Sequence, residues 1–379
     1  MAFKWDKRQI RLGLSGFFVV FLISLVSLKP YLPAAVYHNF ATIYDYAFFQ
    51  NRTVAKSANP APFPVSTFKI VDPPENTLGL LGSLKTTAVL VLQEGAIVYE
   101  KYFEDGGQEV LSGSFSMAKS IVALLAGFAL QDGRIRSLDE AVSTYLPEWQ
   151  GRDEGKITLR QLLQMTAGLD WNETYMNPLS ITTEAYYGTD LHFTALRQRL
   201  ERPPGTQFSY QSGTTQLLGL AVSRAVNKNL ADYASEKLWR PLGAEADALW
   251  SLDRDGGMEK AYCCFNARAR DFARIGEFVR NFGKWNGVQL LNESYVREMI
   301  RPHGVPDKDG RPTDYYGWQW WIYKSALGDV PYARGILGQY IIVIPARNRV
   351  IVRLGKKTAE RIDHHPIEVR ELIDWGIRN

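Results

Sequence analysis

The chain has 379 residues, enough for one large domain or two interleaved ones. Its apolar and charged fractions are ordinary for a globular protein, and its formal net charge of +4 is spread along the sequence. With no concentrated basic footprint, a nucleic-acid partner is set aside.

Lys4, Lys7, Arg8 and Arg11 precede an uncharged stretch from Leu12 to Leu28, closed by Lys29 and Pro30. A charged start followed by an apolar run reads as a signal peptide or a signal anchor. The run is slightly long for the first and slightly short for a spanning helix. An uncleaved anchor is the favoured reading of residues 1–29, and Pro33-Ala34-Ala35 leaves cleavage open. The positive flank would stay cytoplasmic. That predicts a single-pass inner-membrane protein with its folded part on the extracytoplasmic side. Residues 30–75 read as a tether, because Pro60, Pro62 and Pro64 exclude regular helix. The folded domain is then 76–379.

Thr87 to Leu92 is apolar, Glu94-Gly95 is a turn, and Ala96 to Tyr99 returns, which predicts a β-hairpin over Thr86–Phe103. From Phe115 the chain is apolar on every face until Gly133, which predicts a buried helix with a glycine stop. Ser137–Glu140 and Thr158–Gln161 both fit helix capping boxes. Further helices are expected over Thr214–Ala225 and Arg268–Asn281. Strands return after Gly317, with a hairpin of Gln339–Ile344 and Val350–Leu354, and a last helix follows over Thr358–Ile377. Trp318, Trp320 and Trp321 read as core packing or as one wall of a cleft. The fold class is α/β (α+β): an antiparallel sheet built from both chain ends (about 76–135 and 315–379), flanked by helices, with a mainly helical insertion at about 136–314.

Cys263 and Cys264 are too few for a disulfide framework and lack metal-ligand spacing. Neighbouring cysteines rarely bridge, because the geometry strains the peptide between them. They are expected to be small buried apolar residues. The five histidines form no HExxH-type pattern. No metal and no cofactor are expected, and the oligomeric state is unreadable.

A serine hydroxyl is a weak nucleophile without a base. Lysine can serve if burial lowers its pKa enough to leave a neutral amine. Ser116 and Lys119 lie three residues apart and so share one helix face. Ser116 also sits where first-turn N–H groups lack partners and the helix dipole is positive. Chance supplies roughly one or two S-x-x-K matches in a chain of this size. A second does occur, Ser66-Thr67-Phe68-Lys69, but it follows prolines in extended chain. Ser116 instead opens a buried helix, although a helix-capping serine is the plainer reading of it alone.

In this setting Ser116-x-x-Lys119 resembles the serine β-lactamase and penicillin-binding-protein superfamily. The likeness extends through Gly133–Asp139, Thr158–Leu169, Pro204–Ser212 and Asn266–Gly276. It implies a β-lactamase-like fold, with Tyr210 relaying protons between Ser116, Lys119 and a leaving group, and Ser212 binding the lysine or substrate. The family's third motif departs here. Ala333-Arg334-Gly335 lacks the cation at the first position, and strand alternation leaves the direction of Arg334 open. The Gly335–Gln339 pattern is closer to the 6-aminohexanoate-dimer hydrolase and esterase branch. That branch implies the backbone N–H groups of Ser116 and Ile336 as oxyanion donors, and Tyr175 and Asn266 as substrate-binding residues. A packing tyrosine and a helix-capping asparagine are the plainer readings of those two. The expected activity is hydrolysis of a small-molecule ester or linear amide through an acyl-enzyme on Ser116. The alternatives are a penicillin-binding or D-aminoacyl peptidase-like enzyme on cell-wall peptides, and a non-enzymatic binding module on the same fold.

Overall fold

The computed structural model describes residues 27–378. Helix α1 (Leu32–His38) ends at Asn39, whose φ of 55° turns the chain toward β1 (Asn51–Val54). Helix α2 (Glu75–Ser83) leads into the expected hairpin, β2 (Thr86–Gln93) and β3 (Ala96–Tyr102). Its turn residues Glu94 and Gly95 have φ of 52° and 78°, the two positive values that a two-residue primed turn requires. Strand β4 (Ser112–Gly113) precedes α3 (Met117–Gln131), in which every residue from Met117 to Ala129 is buried.

Helix α4 (Leu159–Leu163) opens on the predicted capping box. Thr158 Oγ1 accepts from the Gln161 N–H at 3.2 Å, and Gln161 Oε1 from the Thr158 N–H at 2.9 Å. Ser137–Glu140 opens no α-helix. Glu140 instead binds the N–H and side chain of Arg136 and the hydroxyl of Tyr145, so its carboxylate closes a loop. The remaining elements used below are α5 (Ile181–Tyr187), α6 (Ser212–Val226), β5 (Ala248–Ser251), β6 (Phe265–Ala267) and α7 (Ala269–Arg280), then β7 (Trp321–Ser325), β8 (Gly328–Gly335), β9 (Gln339–Ile344), β10 (Arg349–Gly355) and α8 (Ile367–Arg378).

Both chain ends build one antiparallel sheet of six strands in the order β3-β2-β10-β9-β8-β7. Its central strands are apolar on both faces. Leu90, Leu92, Ile341 and Val352 face α3 and α7, while Val89, Val91, Ile342 and Ile351 face α8. Each such side chain contributes about 1.5–3 kcal/mol of transfer free energy. Gly276 of α7 lets the helix sit directly on the sheet: a Cβ there would meet Val350 at 2.4 Å.

A second sheet, β1-β5-β6-β4, carries a correction. The stretch 30–75 does not run free of the domain. Asn51–Val54 lacks proline, and it pairs antiparallel with β5, burying Val54 completely. Tyr31, Leu32 and Ala35 pack against Tyr187, and Lys29 pairs with Glu184 at 3.0 Å. Among the described residues no helix is long and apolar enough to cross a membrane. That overturns the single-pass inner-membrane placement. The residue expected to close the span, Lys29, docks on α5 instead. The charged flank and most of the run 12–28 lie outside the described residues.

Candidate active site

Ser116 stands at the start of α3, immediately after Phe115, whose φ is 43°. A non-glycine residue in that region costs about 1–3 kcal/mol and needs support from its surroundings. The support comes from both sides. The Gly113 N–H donates to Ile43 O at 2.8 Å, the Ser114 N–H donates to Phe265 O at 2.8 Å, and Ser114 Oγ accepts from the Phe265 N–H at 3.1 Å. The loop that presents Ser116 is therefore tied to β6 and to the N-terminal segment.

Lys119 follows one turn later and is 1% exposed. Its Nζ reaches Ser116 Oγ at 2.8 Å, Ser212 Oγ at 3.2 Å and Tyr262 O at 2.9 Å. Burial lowers its pKa to about 8, against the opposing pull of the Glu173 carboxylate. Ser212 opens α6, where Glu173 acts as an anionic cap, accepting from the Ser212 N–H at 2.7 Å and from Ser212 Oγ at 2.5 Å. Glu173 also accepts from the Tyr175 hydroxyl. Gln211 holds this loop in place through Leu169 O at 2.7 Å and Trp171 O at 3.0 Å.

The ring of Tyr210 lies 5.1 Å from Lys119 Nζ and packs on Trp321 and Tyr316. Burial raises its pKa well above the ordinary phenol value, and Glu173 adds to that. A hydrogen bond with Ser116 and the charges of Arg334 and Arg361 draw it back. From the other side, β8 ends at Gly335. A Cβ there would meet Ser114 O at 2.1 Å, so only glycine lets the strand approach the nucleophile loop. Ile336 follows directly, and Leu337 and Gly338, with φ of 62° and 86°, turn the chain into β9.

Two cavities meet at Ser116, and Tyr175 and Ile336 line both. One, of about 290 Å³, lies on the side of Tyr210 and includes Glu173, Trp321, Arg334 and Arg361. The direction of Arg334 is thereby answered. Its guanidinium stacks 3.3 Å from the Trp321 ring centroid and donates to His364 O at 2.8 Å. Trp321 is wall, while Trp318 and Trp320 belong to the core. The other cavity, of about 220 Å³, is bounded by Phe115, Tyr262 and Cys263.

Ser116, Lys119, Tyr210, Ser212, Tyr175 and Ile336 thus come together. Asn266 does not join them. Its amide is occupied by Leu249 O and Cys264 O, both at 2.9 Å, and it lines neither cavity. It caps no helix either, because Arg268 precedes α7. Cys263 and Cys264 are buried as expected, yet bonded to each other as a disulfide. The backbone accommodates it with φ of 66° at Cys264, whose carbonyl is pinned by Ser251 N–H and Asn266 Nδ2. Sequence pattern does not single out Glu173 or Arg361. The one available signal for Glu173 is its place two residues before Tyr175.

A model of the beta-lactamase family matches residues 80–371. A 6-aminohexanoate-dimer hydrolase from Paenarthrobacter ureafaciens is 27% identical over 296 residues, covering 71% of this chain and 72% of that protein. A solved structure of a candidate 6-aminohexanoate-dimer hydrolase from Bacillus anthracis is similar at a TM-score of 0.77 and 25% identity, covering 89% of this chain and 92% of that one. A family VIII carboxylesterase shares the fold at a TM-score of 0.65 and 17% identity, over 80% and 95% of the two chains. The family match spans most of the chain and takes in Ser116, Lys119, Tyr210, Ser212 and Ile336: this protein belongs to the beta-lactamase family.

Proposed function

We propose that this protein is a serine hydrolase that cleaves an ester or linear amide through an acyl-enzyme on Ser116. The observation that carries the reading is the Lys119 amine, fully buried, lowered to about 8 and 2.8 Å from Ser116 Oγ. A neutral amine keeps two donors, for Ser212 Oγ and Tyr262 O, and turns its lone pair to the Ser116 hydroxyl. In acylation the Ser116 proton passes to Lys119 as Oγ attacks the carbonyl carbon. Negative charge develops on the carbonyl oxygen, beside the N–H groups of Ser116 and Ile336. Such donors are worth about 10²–10³ in rate. The bond to the leaving group breaks as Tyr210 delivers a proton to it, and Lys119 resupplies Tyr210. Water then releases the acid by the reverse steps. Tyr175, at the junction of the two cavities, contacts substrate on this reading. A fluorophosphonate probe should label Ser116 in the wild type and leave Ser116→Ala unlabelled. Labelling that survives Ser116→Ala removes the assignment.

A peptidase acting on cell-wall peptides is the second reading, favoured by one observation. Arg334 and Arg361 line the cavity on the side of Tyr210, where a leaving group with a carboxylate would sit. Fluorescent penicillin that labels Ser116 stably would favour it. Fast turnover of nitrophenyl esters without penicillin labelling would favour the first reading.

A further inference from the structure

The cavity of about 220 Å³ reaches Ser116 but is not lined by Tyr210. Tyr210 supplies the leaving-group proton on the reading above, so the leaving group belongs in the cavity that Tyr210 lines. The acyl group is left with the other. Among the described residues no charged side chain lines it. Its walls include Phe40, Met176, Tyr186, Tyr187, Cys263 and Leu337.

One wall comes from outside the span matched by the family, which begins at residue 80. Asn39, Phe40 and Ala41 bring it from the N-terminal segment. This wall is built in rather than loosely draped. Upstream, α1 packs on Tyr187 and Lys29 pairs with Glu184 of α5. Downstream, the Asp45 carboxylate takes the Thr42 N–H at 3.0 Å and the Tyr186 hydroxyl at 2.7 Å. Ile43 O holds the Gly113 N–H, three residues before Ser116. Phe40 is nonetheless 60% exposed, and Met176, which also lines the cavity, is 72% exposed. Large apolar side chains left open at the mouth of an apolar cavity are what a bound apolar group would cover.

We infer that this cavity is an acyl-binding pocket for an uncharged apolar acyl group, with Phe40 of the N-terminal segment as its specificity-determining wall. The inference rests on the hydrolase reading and names the substrate class of that site. An apolar cavity of roughly 150 Å³ encloses a benzene ring, so this one suits an acyl chain of about six to eight carbons or a phenyl-bearing acyl group. An acyl group ending in an ammonium would lose its hydration there with no carboxylate to receive it.

The test uses the full chain and p-nitrophenyl esters from acetate to laurate, together with p-nitrophenyl 6-aminohexanoate. From acetate to hexanoate kcat/KM should rise about tenfold or more, and it should fall beyond octanoate. The 6-amino ester should lie at least about tenfold below hexanoate. Phe40→Ala should raise the laurate-to-hexanoate ratio severalfold, and Phe40→Trp should lower the hexanoate-to-acetate ratio. A flat chain-length profile, a preference for the 6-amino ester, or wild-type ratios in both variants overturns the inference. Ester turnover and probe labelling of Ser116 with a flat profile would sink the pocket alone. No turnover and no labelling would sink the hydrolase reading and this inference with it.

Discussion

Lys119 and Lys260 both lie in the interior, 1% and 0% exposed, in regions built in opposite ways. Lys119 sits in a polar cage of two serine hydroxyls and a carbonyl at the start of α3. Lys260 has no hydrogen-bond partner for its Nζ among the described residues, and that atom lies 3.3 Å from the Phe49 ring centroid. Burial lowers the two amines to about 8 and about 7. Burial depresses both amines in the same direction. By geometry only Lys119 can take a proton from a nucleophile. A depressed pKa marks a buried amine, and its neighbours decide whether the amine is a reagent or a piece of packing.

Substitution should separate the two at once. Lys119→Ala should lower kcat by about 10²–10⁴, the usual worth of a positioned base, as measured by ester hydrolysis. Lys260→Met should leave kcat within about twofold, because the surface it deletes faces aromatic rings rather than Ser116. Gly335→Ala reaches the same site from the strand side. Its Cβ cannot coexist with Ser114 O, so β8 must retreat and carry the Ile336 N–H with it. Loss of about 10–10² in kcat is expected, smaller than for Lys119→Ala.

The smallest effect is on stability. The folded pKa of Lys260, about 7, lies below its unfolded value of about 10.4, so folding expels a proton between those limits. Stability from this group therefore rises as pH climbs from about 7 to about 10 and is level below about 7. Lys260→Met should make the climb of Tm over that window shallower. An unchanged slope would show that Lys260 is not buried uncharged.

The same contrast explains what was legible in the sequence. The spacing of Ser116 and Lys119, the all-apolar run behind them and the hairpins at both chain ends are local patterns, and the six-stranded sheet follows from them. The Thr158 capping box was equally local, and it formed. Ser137–Glu140 fits the same capping pattern, but there Arg136 and Tyr145 take the carboxylate. What stayed hidden depends on distant partners. Lys260 meets Phe49, β1 finds β5 and Phe40 reaches the mouth beside Ser116 only after the chain has folded. Glu173 sits in irregular chain and Arg361 in a two-residue strand, Arg361–Ile362, both of unmarked composition, and their proximity to Ser116 comes from α6 and the chain after β10. The branch resemblance implies Asn266 as a substrate-binding residue, whereas its amide is taken by backbone carbonyls.

If Lys119, poised near 8, activates Ser116, its titration must appear in the pH dependence of acylation. Glu173 holds the Lys119 pKa up, so Glu173→Gln should release it downward. The rate should rise with pH through about 8 in the wild type and in Lys260→Met alike, and through a lower pH in Glu173→Gln. A limb that moves with Lys260→Met, or that stays in place in Glu173→Gln, would contradict this role of Lys119.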